Sequence, residues 1–589
     1  MNNFPNVLNV AKAIKHRSTF PLDFQHLTTM DFGKTTVLHA MELVPGDEID
    51  IDLSCVSQLS PLIVPTMGEC NLYVRAFFVP FRFVWKDWEE FFSQFSHRKG
   101  STSSLNSVPN VSDLALWQFF TSDRGLLEPV GTGDEFDFTT GDVNYKLTYK
   151  GRLIYQILLG LGYVLYPCSV RRKYFSTLPL LCLAKIFRDY YVNPNYDYVT
   201  IDNLLNNESW ESGTLIENVS SLLDFVAFGW FEGDLFTQAW ANPETVGYSS
   251  VFQTQSVNVF SEDNLESITG PTSTIADAIS GIFNSDNEAH FTERGLNILK
   301  QIYNFSLRQA ASGARYVDQL LSRFGIKLNE NEARRSHFIG STMFDTQISR
   351  VDATGAGTNT ETGNSSSLGE FAGRGILTGN GHFHYENKHN DFGMLIFVAH
   401  LMPRTNYYQG TKPAVNHLQF NDFFNPDLED IGNAPIRQME VFADWTDIDI
   451  VNQDAATFDG VFGFAPNYYD YKSQQSYLSG DFRCKTLNKE LESFQLFRTL
   501  CSPRAPEQGS TPAELNENFQ KFNERNVTDW NRIFLNQSNA ADHFICSFVF
   551  RQRVTRNMNS LGNSLLAELN EHGNDVGDII KVRPNGKYF

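Results

Sequence analysis

The sequence predicts a mainly β protein, an antiparallel β-sandwich or jelly roll interrupted by large loop and helical insertions. Three observations lead there. The strongest strand patterns are alternating or continuous apolar runs at Ile49–Leu53, Leu72–Val79, Met394–Leu401 and Phe544–Val554. Most of these runs lie towards the two ends of a 589-residue chain, with excursions between them, and that length exceeds what one core usually serves. The 50 Phe and 22 Tyr suit sheet packing and large interfaces.

The first 40 residues are basic at the start, with Lys12, Lys15, His16 and Arg17 and no acid before Asp23. Thr36–Leu43 reads as a short strand. Pro45-Gly46-Asp47 then gives a turn, because Pro presets φ and Gly relieves the backbone. Ile49, Ile51 and Leu53 alternate with Asp50, Asp52 and Ser54, as in a strand with one buried face. Leu72–Val79 is apolar or aromatic apart from Arg75, which suits a strand covered on both sides. Pro61, Pro65 and Pro80 bound these runs, since proline is poorly tolerated in a ladder. Beyond Pro80, the spacing of Trp85, Trp88, Phe91, Phe92 and Phe95 predicts a short aromatic helix.

His97–Gly141 reads as loops with a short helix around Leu114–Phe120, and Tyr145–Tyr149 as a strand. A turn at Gly160-Leu161-Gly162 precedes a helix over Leu178–Tyr191, ended by Asn193-Pro194. From Asp189 to Glu293 there is no Lys or Arg, and 17 acids; of the net −21, only −4 remains for the rest of the chain. Such a segment repels phosphate and faces solvent. Its aromatic residues, among them Trp210, Trp230 and Trp240, predict an inserted, partly structured excursion, because disordered tracts are poor in them. Leu296–Phe324 has helical periodicity with Gly325 as its cap. Residues 352–381, rich in Gly, Thr and Ser, read as a flexible surface or interface arm. Arg437–Phe442, Val461–Phe464 and Ser476–Phe482 are shorter strand candidates, and Asn563–Glu571 a short helix. The organisation expected is a first part of the core over 1–196, an acidic insertion over 197–293, and a helical segment, second core part and tail over 294–589.

No run of about 18 apolar residues exists, so no membrane span is expected. The N-terminus lacks the long apolar stretch of a signal peptide, and seven scattered cysteines without CxxC read as reduced and intracellular. GxSxG, HExxH and P-loop motifs are missing, and the acidic segment offers no defensible acid/base pair. The most enzyme-like stretch is His382-Phe383-His384-Tyr385-Glu386, because two His in alternation share one strand face, as metal ligands need. It resembles the metal motif of cupin jelly rolls, but Glu386 follows after one residue where that motif has three or four. Polar strand or interface histidines are therefore the preferred reading, and no cofactor is expected. Arg551, Arg553 and Arg556 flank the last strand; with Lys581, Arg583 and Lys587 they bring residues 551–589 to +2, and with the basic N-terminus they could form a phosphate-facing surface.

An ordered series of motifs carries a resemblance. It comprises Arg17-Ser18-Thr19-Phe20, Leu43-Val44-Pro45-Gly46-Asp47, Asn71-Leu72-Tyr73 through Phe77-Phe78-Val79-Pro80, and Trp85-Lys86-Asp87-Trp88-Glu89. Gly313-Ala314-Arg315-Tyr316, His384 through Tyr407-Tyr408-Gln409-Gly410, Val461-Phe462-Gly463-Phe464 and Asp542-His543-Phe544-Ile545-Cys546 continue it. In this series the chain resembles the major capsid proteins of the Microviridae, in their gokushovirus-like form. The resemblance covers most of residues 17–550, except 98–140 and the acidic insertion. It implies an eight-stranded viral jelly roll that self-assembles into a T=1 icosahedral shell around circular single-stranded DNA, in the host bacterial cytoplasm. The partners it implies are further copies of the chain, the genome, a minor DNA-pilot protein, an internal scaffolding protein, a small basic DNA-binding protein and a host surface receptor. On this reading Lys12, Lys15, Arg17, Arg551, Arg553 and Arg556 face DNA. The acidic insertion, marked by Asp197, Trp210, Trp230, Trp240 and Glu293, protrudes and contributes to host attachment.

Overall fold

A computed structural model of the chain describes residues 17–64, 66–85, 87–93, 108–112, 126–130, 138–140, 143–164, 174–191, 334–348, 375–387, 391–404, 410–418, 420–426, 433–442, 461–482, 489–496, 530–536 and 542–558. Short stretches and single positions among 116–120, 234–239, 320–329, 357–366, 406–408 and 429 are also described. Nine strands carry the fold: β1 (Ser18–Pro21), β2 (Phe24–Met30), β3 (Thr35–Leu43), β4 (Glu48–Leu59), β5 (Cys70–Pro80), β6 (His337–Ile348), β7 (Gly375–Glu386), β8 (Gly393–Pro403) and β9 (Phe544–Arg556).

The pairings are all antiparallel and form two layers. The first runs β2–β9–β4–β7 and the second β3–β8–β5–β6. β6 turns the corner between them, pairing with β5 through His337–Asp345 and with β7 through Thr346–Ile348. β1 extends the β2 edge along the far end of β9. The break between them is held at Gln552, whose carbonyl accepts from Leu22 N at 2.9 Å and whose N–H donates to Asp23 Oδ1 at 2.9 Å. With β1 taken as that extension, the strands are the eight of a jelly roll, and successive strands mostly alternate between layers.

The apolar pattern explains the layering. β4 buries Ile49, Ile51, Leu53 and Cys55 and exposes Asp50, Asp52 and Val56, as its alternation predicts. β9 alternates in the same way over most of its length. Between the layers these residues meet Val74 and Phe78 of β5, Leu395 and Phe397 of β8, and Phe548 and Phe550 of β9. Phe397 stands edge-on to Phe383 and Phe550, at centroid distances of 5.2 and 5.4 Å. β5 and β8 bury their other face too, so their runs are almost unbroken.

The cover on that face comes from the long β5–β6 connection. Short helices α1 (Phe81–Val84) and α2 (Trp88–Ser93) follow Pro80 and replace the single aromatic helix expected; Trp85 is extended and separates them. Helices α3 (Tyr149–Gly160) and α4 (Leu178–Ile186) then pack with Val37, Phe77, Val79, Ile396 and Val398. Thr148 caps α3 by accepting from Gly151 N at 3.2 Å. Gly160 lets α3 approach the sheet, since a Cβ there would stand 2.5 Å from the Val37 carbonyl oxygen. A π-helical turn, Phe187–Tyr191, extends α4 and anchors the return of the chain: Asp189 Oδ2 accepts from Ser336 N and Oγ, each at 2.8 Å.

A third, smaller cluster lies in the β8–β9 connection and gathers Tyr407, Ile436, Val441, Ala465 and Tyr469. Here strand Asn433–Arg437 pairs with strand Val461–Pro466.

Some expectations are corrected. Gln438–Phe442 is helical, not a strand, and its buried Glu440 accepts from Tyr469 Oη at 2.5 Å. Ser476–Phe482 makes only a bridge at Tyr477 before a 3₁₀ turn over Gly480–Phe482, where Gly480 has φ +64°. The last residues of the expected arm belong to β7. Its glycines are there for close packing: a Cβ on Gly379 would stand 2.1 Å from the Phe344 ring, and one on Gly381 2.8 Å from Thr342. Tyr149 starts α3 and does not end a strand; the preceding strand is Val143–Leu147. Positions 116, 119 and 120 are helical as expected, and Gly325, φ +66°, caps a helical turn through its N–H on Leu321 O. The rest of Leu296–Phe324 and all of Asn563–Glu571 lie outside the described residues.

Candidate functional site

Among the described residues nothing covers the outer face of the first layer, and register brings the His382/His384 pair and the Arg551/Arg553 pair together on it. His382 of β7 stands opposite Asp52 of β4, which stands opposite Arg551 of β9. One step along, His384, Asp50 and Arg553 repeat the row. All six side chains are exposed. The imidazoles are bound across the strands, His382 Nδ1 lying 2.7 Å from Asp52 Oδ1 and His384 Nδ1 2.5 Å from Asp50 Oδ1. Each row sets a carboxylate between a histidine and an arginine.

This geometry disfavours the cupin-like alternative. Each histidine is turned to its own aspartate, and Glu386 faces Glu48 one row further on. Among the described residues no three His, Cys, Asp or Glu side chains converge as metal ligands. A polar cavity of about 360 Å³ opens beside Glu69, Asn71, Tyr73, Asp234 and Arg404, but its charged groups are engaged. Arg404 donates to Glu69 at 2.8 Å, and Asp234 accepts from Tyr407 Oη.

The other residues expected to face DNA are placed as follows. Arg17 donates to Glu48 at 2.8 Å at the end of the same face. Arg556 turns towards the fully buried Asp47, with Nε 3.0 Å from its Oδ2, and also donates to the Glu42 carbonyl. Asp47 Oδ2 accepts in addition from Val44 N, fixing the Pro45-Gly46 turn; burial pushes its carboxyl above the ordinary range. Lys12 and Lys15 lie outside the described residues, as do Asp197, Trp210, Trp230, Trp240 and Glu293. Of the acidic segment, Phe236 and Ala239 are seen packed into the small cluster with Tyr407 and Tyr469.

The sequence marked Asp542-His543 only as a motif of the resemblance, and the structure places them in a buried polar corner. Lys34 Nζ lies 2.5 Å from Asp542 Oδ1 and 3.7 Å from Asp31 Oδ2. Arg152 and Gln156 of α3 also donate to Asp542, at 3.2 and 2.7 Å, and His543 Nδ1 lies 3.2 Å from Asp31 Oδ2. The corner thereby ties the β2–β3 turn, α3 and the start of β9 together. Burial opposes ionisation of Asp542, but Lys34 and the hydrogen bonds from Thr29 and Gln156 outweigh it and hold its carboxyl below the usual range. Burial likewise disfavours the His543 cation, yet Asp31 raises its pKa.

A jelly-roll sandwich whose long connections pack as separate clusters is an architecture that viral coat proteins use, among other classes. The sequence comparisons are specific. A family model described as "Capsid protein (F protein)" matches residues 9–115 and 290–566, more than half of the chain, and the chain belongs to that family. It is similar to the capsid protein VP1 of Chlamydia phage 1, 22% identical with 93% of this chain and 95% of the relative covered. It is also similar to VP1 of Bdellovibrio phage phiMH2K, 21% identical with 79% and 82% covered. A shorter match, 30% identical over 98 residues and 17% of each chain, links it to VP1 of Spiroplasma virus 4. The chain is thus a major capsid protein of Microviridae type, a structural virion protein and not an enzyme. No helix of the described residues is long and apolar enough to cross a membrane.

Proposed function

We propose that copies of this chain tile a T=1 icosahedral shell around a circular single-stranded DNA genome, assembling in the host cytoplasm. The single observation that carries the reading is the agreement of an eight-stranded jelly roll with a capsid-family match running through its strands on both sides of the long insertion. The exposed outer face of the first layer looks towards the genome, with Arg551, Arg553 and Arg17 as phosphate contacts joined by Lys12 and Lys15. Arg556 contributes from its seat on Asp47. A minor pilot protein, an internal scaffolding protein and a small basic DNA-binding protein complete assembly. The chain divides functionally at 197–293: this acidic insertion faces outward, where its charge is compatible with solvent and not with DNA, and takes part in binding a host receptor.

Electron microscopy of native material, with nuclease-protected nucleic acid extracted from it, tests the shell. Uniform small icosahedra holding single-stranded DNA are expected; native material found only as soluble monomers would overturn the reading. For the DNA face, Arg551→Gln with Arg553→Gln should leave shells intact but lower packaged DNA. Unchanged packaging would remove these residues from the genome contact. Deleting 197–293 should preserve assembly and abolish adsorption to the host, and retained infectivity would sink the receptor role.

A further inference from the structure

The most exposed apolar surface among the described residues lies in the β8–β9 connection. Val415, Leu418 and Phe420 are 71%, 82% and 74% exposed, and Phe423, Phe424 and Tyr471 are about half exposed. Leu418 N donates to Asp422 Oδ2 and Phe423 N to the Phe420 carbonyl, so the stretch 415–424 folds back on itself and brings these side chains into one short exposed segment beside Tyr471. His417 contacts the rings of Phe423 and Tyr471 at centroid distances of 5.6 and 6.1 Å, and Phe424 lies 6.0 Å from Tyr471. His417 is fixed from below by Asp470, 3.2 Å from its Nε2. The patch is therefore built on a supported base.

We propose that this patch is a contact between subunits, covered in the assembled particle by a second copy of this chain; the inference rests on the capsid reading. Area is the first argument. Six side chains at these exposures present roughly 700 Å² of mainly apolar surface, above the largest patch of an ordinary monomer and close to one partner's share of a standard interface. Charge is the second. Two copies of a chain carrying −21 repel, so they must meet where charge is low, and residues 413–424 contain no Lys or Arg and a single acid, Asp422. The same lack of cations makes the patch a poor partner for DNA. Composition is the third: Phe and Tyr with little charge make the centre of a protein interface, and both signs sit at its edge, where Lys472 pairs with Glu429 at 3.0 Å. A closed icosahedral shell combines heterologous contacts, in which the patch meets a different surface of its neighbour, with isologous two-fold contacts, in which it meets itself.

Carbene footprinting of native particles, compared with folded subunits released from them, tests the proposal. Labelling of Leu418 and Phe420 should be lost in particles, while Leu159, exposed elsewhere, serves as a reference. Equal labelling in both states overturns the contact even though particles exist, whereas a native preparation without particles overturns the capsid reading and the inference with it. A photo-crosslinker at position 420 identifies the occupant: a crosslink to this same chain supports the proposal, and one only to another virion protein overturns it. Phe420→Ser with Leu418→Ser supplies a second readout, expected as loss of particles from subunits with unchanged unfolding behaviour; particles forming as before count against the contact.

Discussion

The two layers of the sandwich are built from similar strands yet have different lives. In the second layer β5 and β8 bury both faces: Phe397 and Phe78 look into the sandwich, and Phe77, Val79 and Ile396 look out onto α3 and α4. The first layer buries one face and leaves on the other the rows His382–Asp52–Arg551 and His384–Asp50–Arg553. Continuous apolar runs thus report a covered sheet, and strict alternation reports a free face available for recognition. In this chain the structural burden and the exposed charge are assigned to different layers.

Substitutions on the two layers break or sharpen this contrast. The largest effect is expected at the shared core. Phe397→Ala removes a ring packed against Phe383 and Phe550 and should cost about 3–5 kcal/mol in denaturant unfolding of the subunit. A cost as small as that of a surface change would mean that the layers are not packed as described.

The polar corner comes next. Asp542→Asn leaves Lys34 buried with a weakened partner and should cost roughly 3 kcal/mol. The Asp542 carboxyl is depressed when folded, so its contribution is present above its ordinary value of 3.8 and is lost as pH falls through the lower folded value. Thermal unfolding should therefore show an acid limb below pH 3.8 that the Asn variant weakens. His543 acts in the opposite sense. Its pKa is raised, so its contribution is complete below 6.5 and disappears as pH rises through the higher folded value. Unfolding temperatures that are flat from pH 6.5 upward in wild type would count against the His543–Asp31 pair.

Gly160→Ala tests the cover of the second layer. Its methyl group would press on the Val37 backbone, and separating α3 from β3 should cost about 1–3 kcal/mol by the same unfolding measurement. The smallest effect belongs to the free face. His382→Ala loses one exposed pair with Asp52 and should change stability by less than about 1 kcal/mol. A larger loss would show that this row supports the fold.

Much of this contrast was legible in the sequence. Alternation at Ile49–Leu53 and the unbroken runs at Leu72–Val79 and Met394–Leu401 predicted which strands have one buried face and which have two. β6 and most of β7 were missed. The Gly, Thr and Asn residues that make β7 look like a flexible arm make room for Phe344 and Thr342 from the neighbouring strand, a reason that exists only after pairing. His382 and His384 were noticed for their shared face, and Arg551 and Arg553 for their charge. Their common site required register to set them on either side of Asp52 and Asp50, hundreds of residues away in the chain.

By itself, then, the sequence determined the fold class, the strands with long apolar patterns, the acidic character of 197–293 and the capsid resemblance, because hydrophobic period, composition and motif order are local or additive properties. Tertiary structure alone decided the two His–Asp–Arg rows, the buried Lys34–Asp542–Arg152 corner and the helical cover behind β5 and β8. Each of these joins side chains from strands or helices distant in sequence, and both their charge balance and their burial depend on which segments become neighbours.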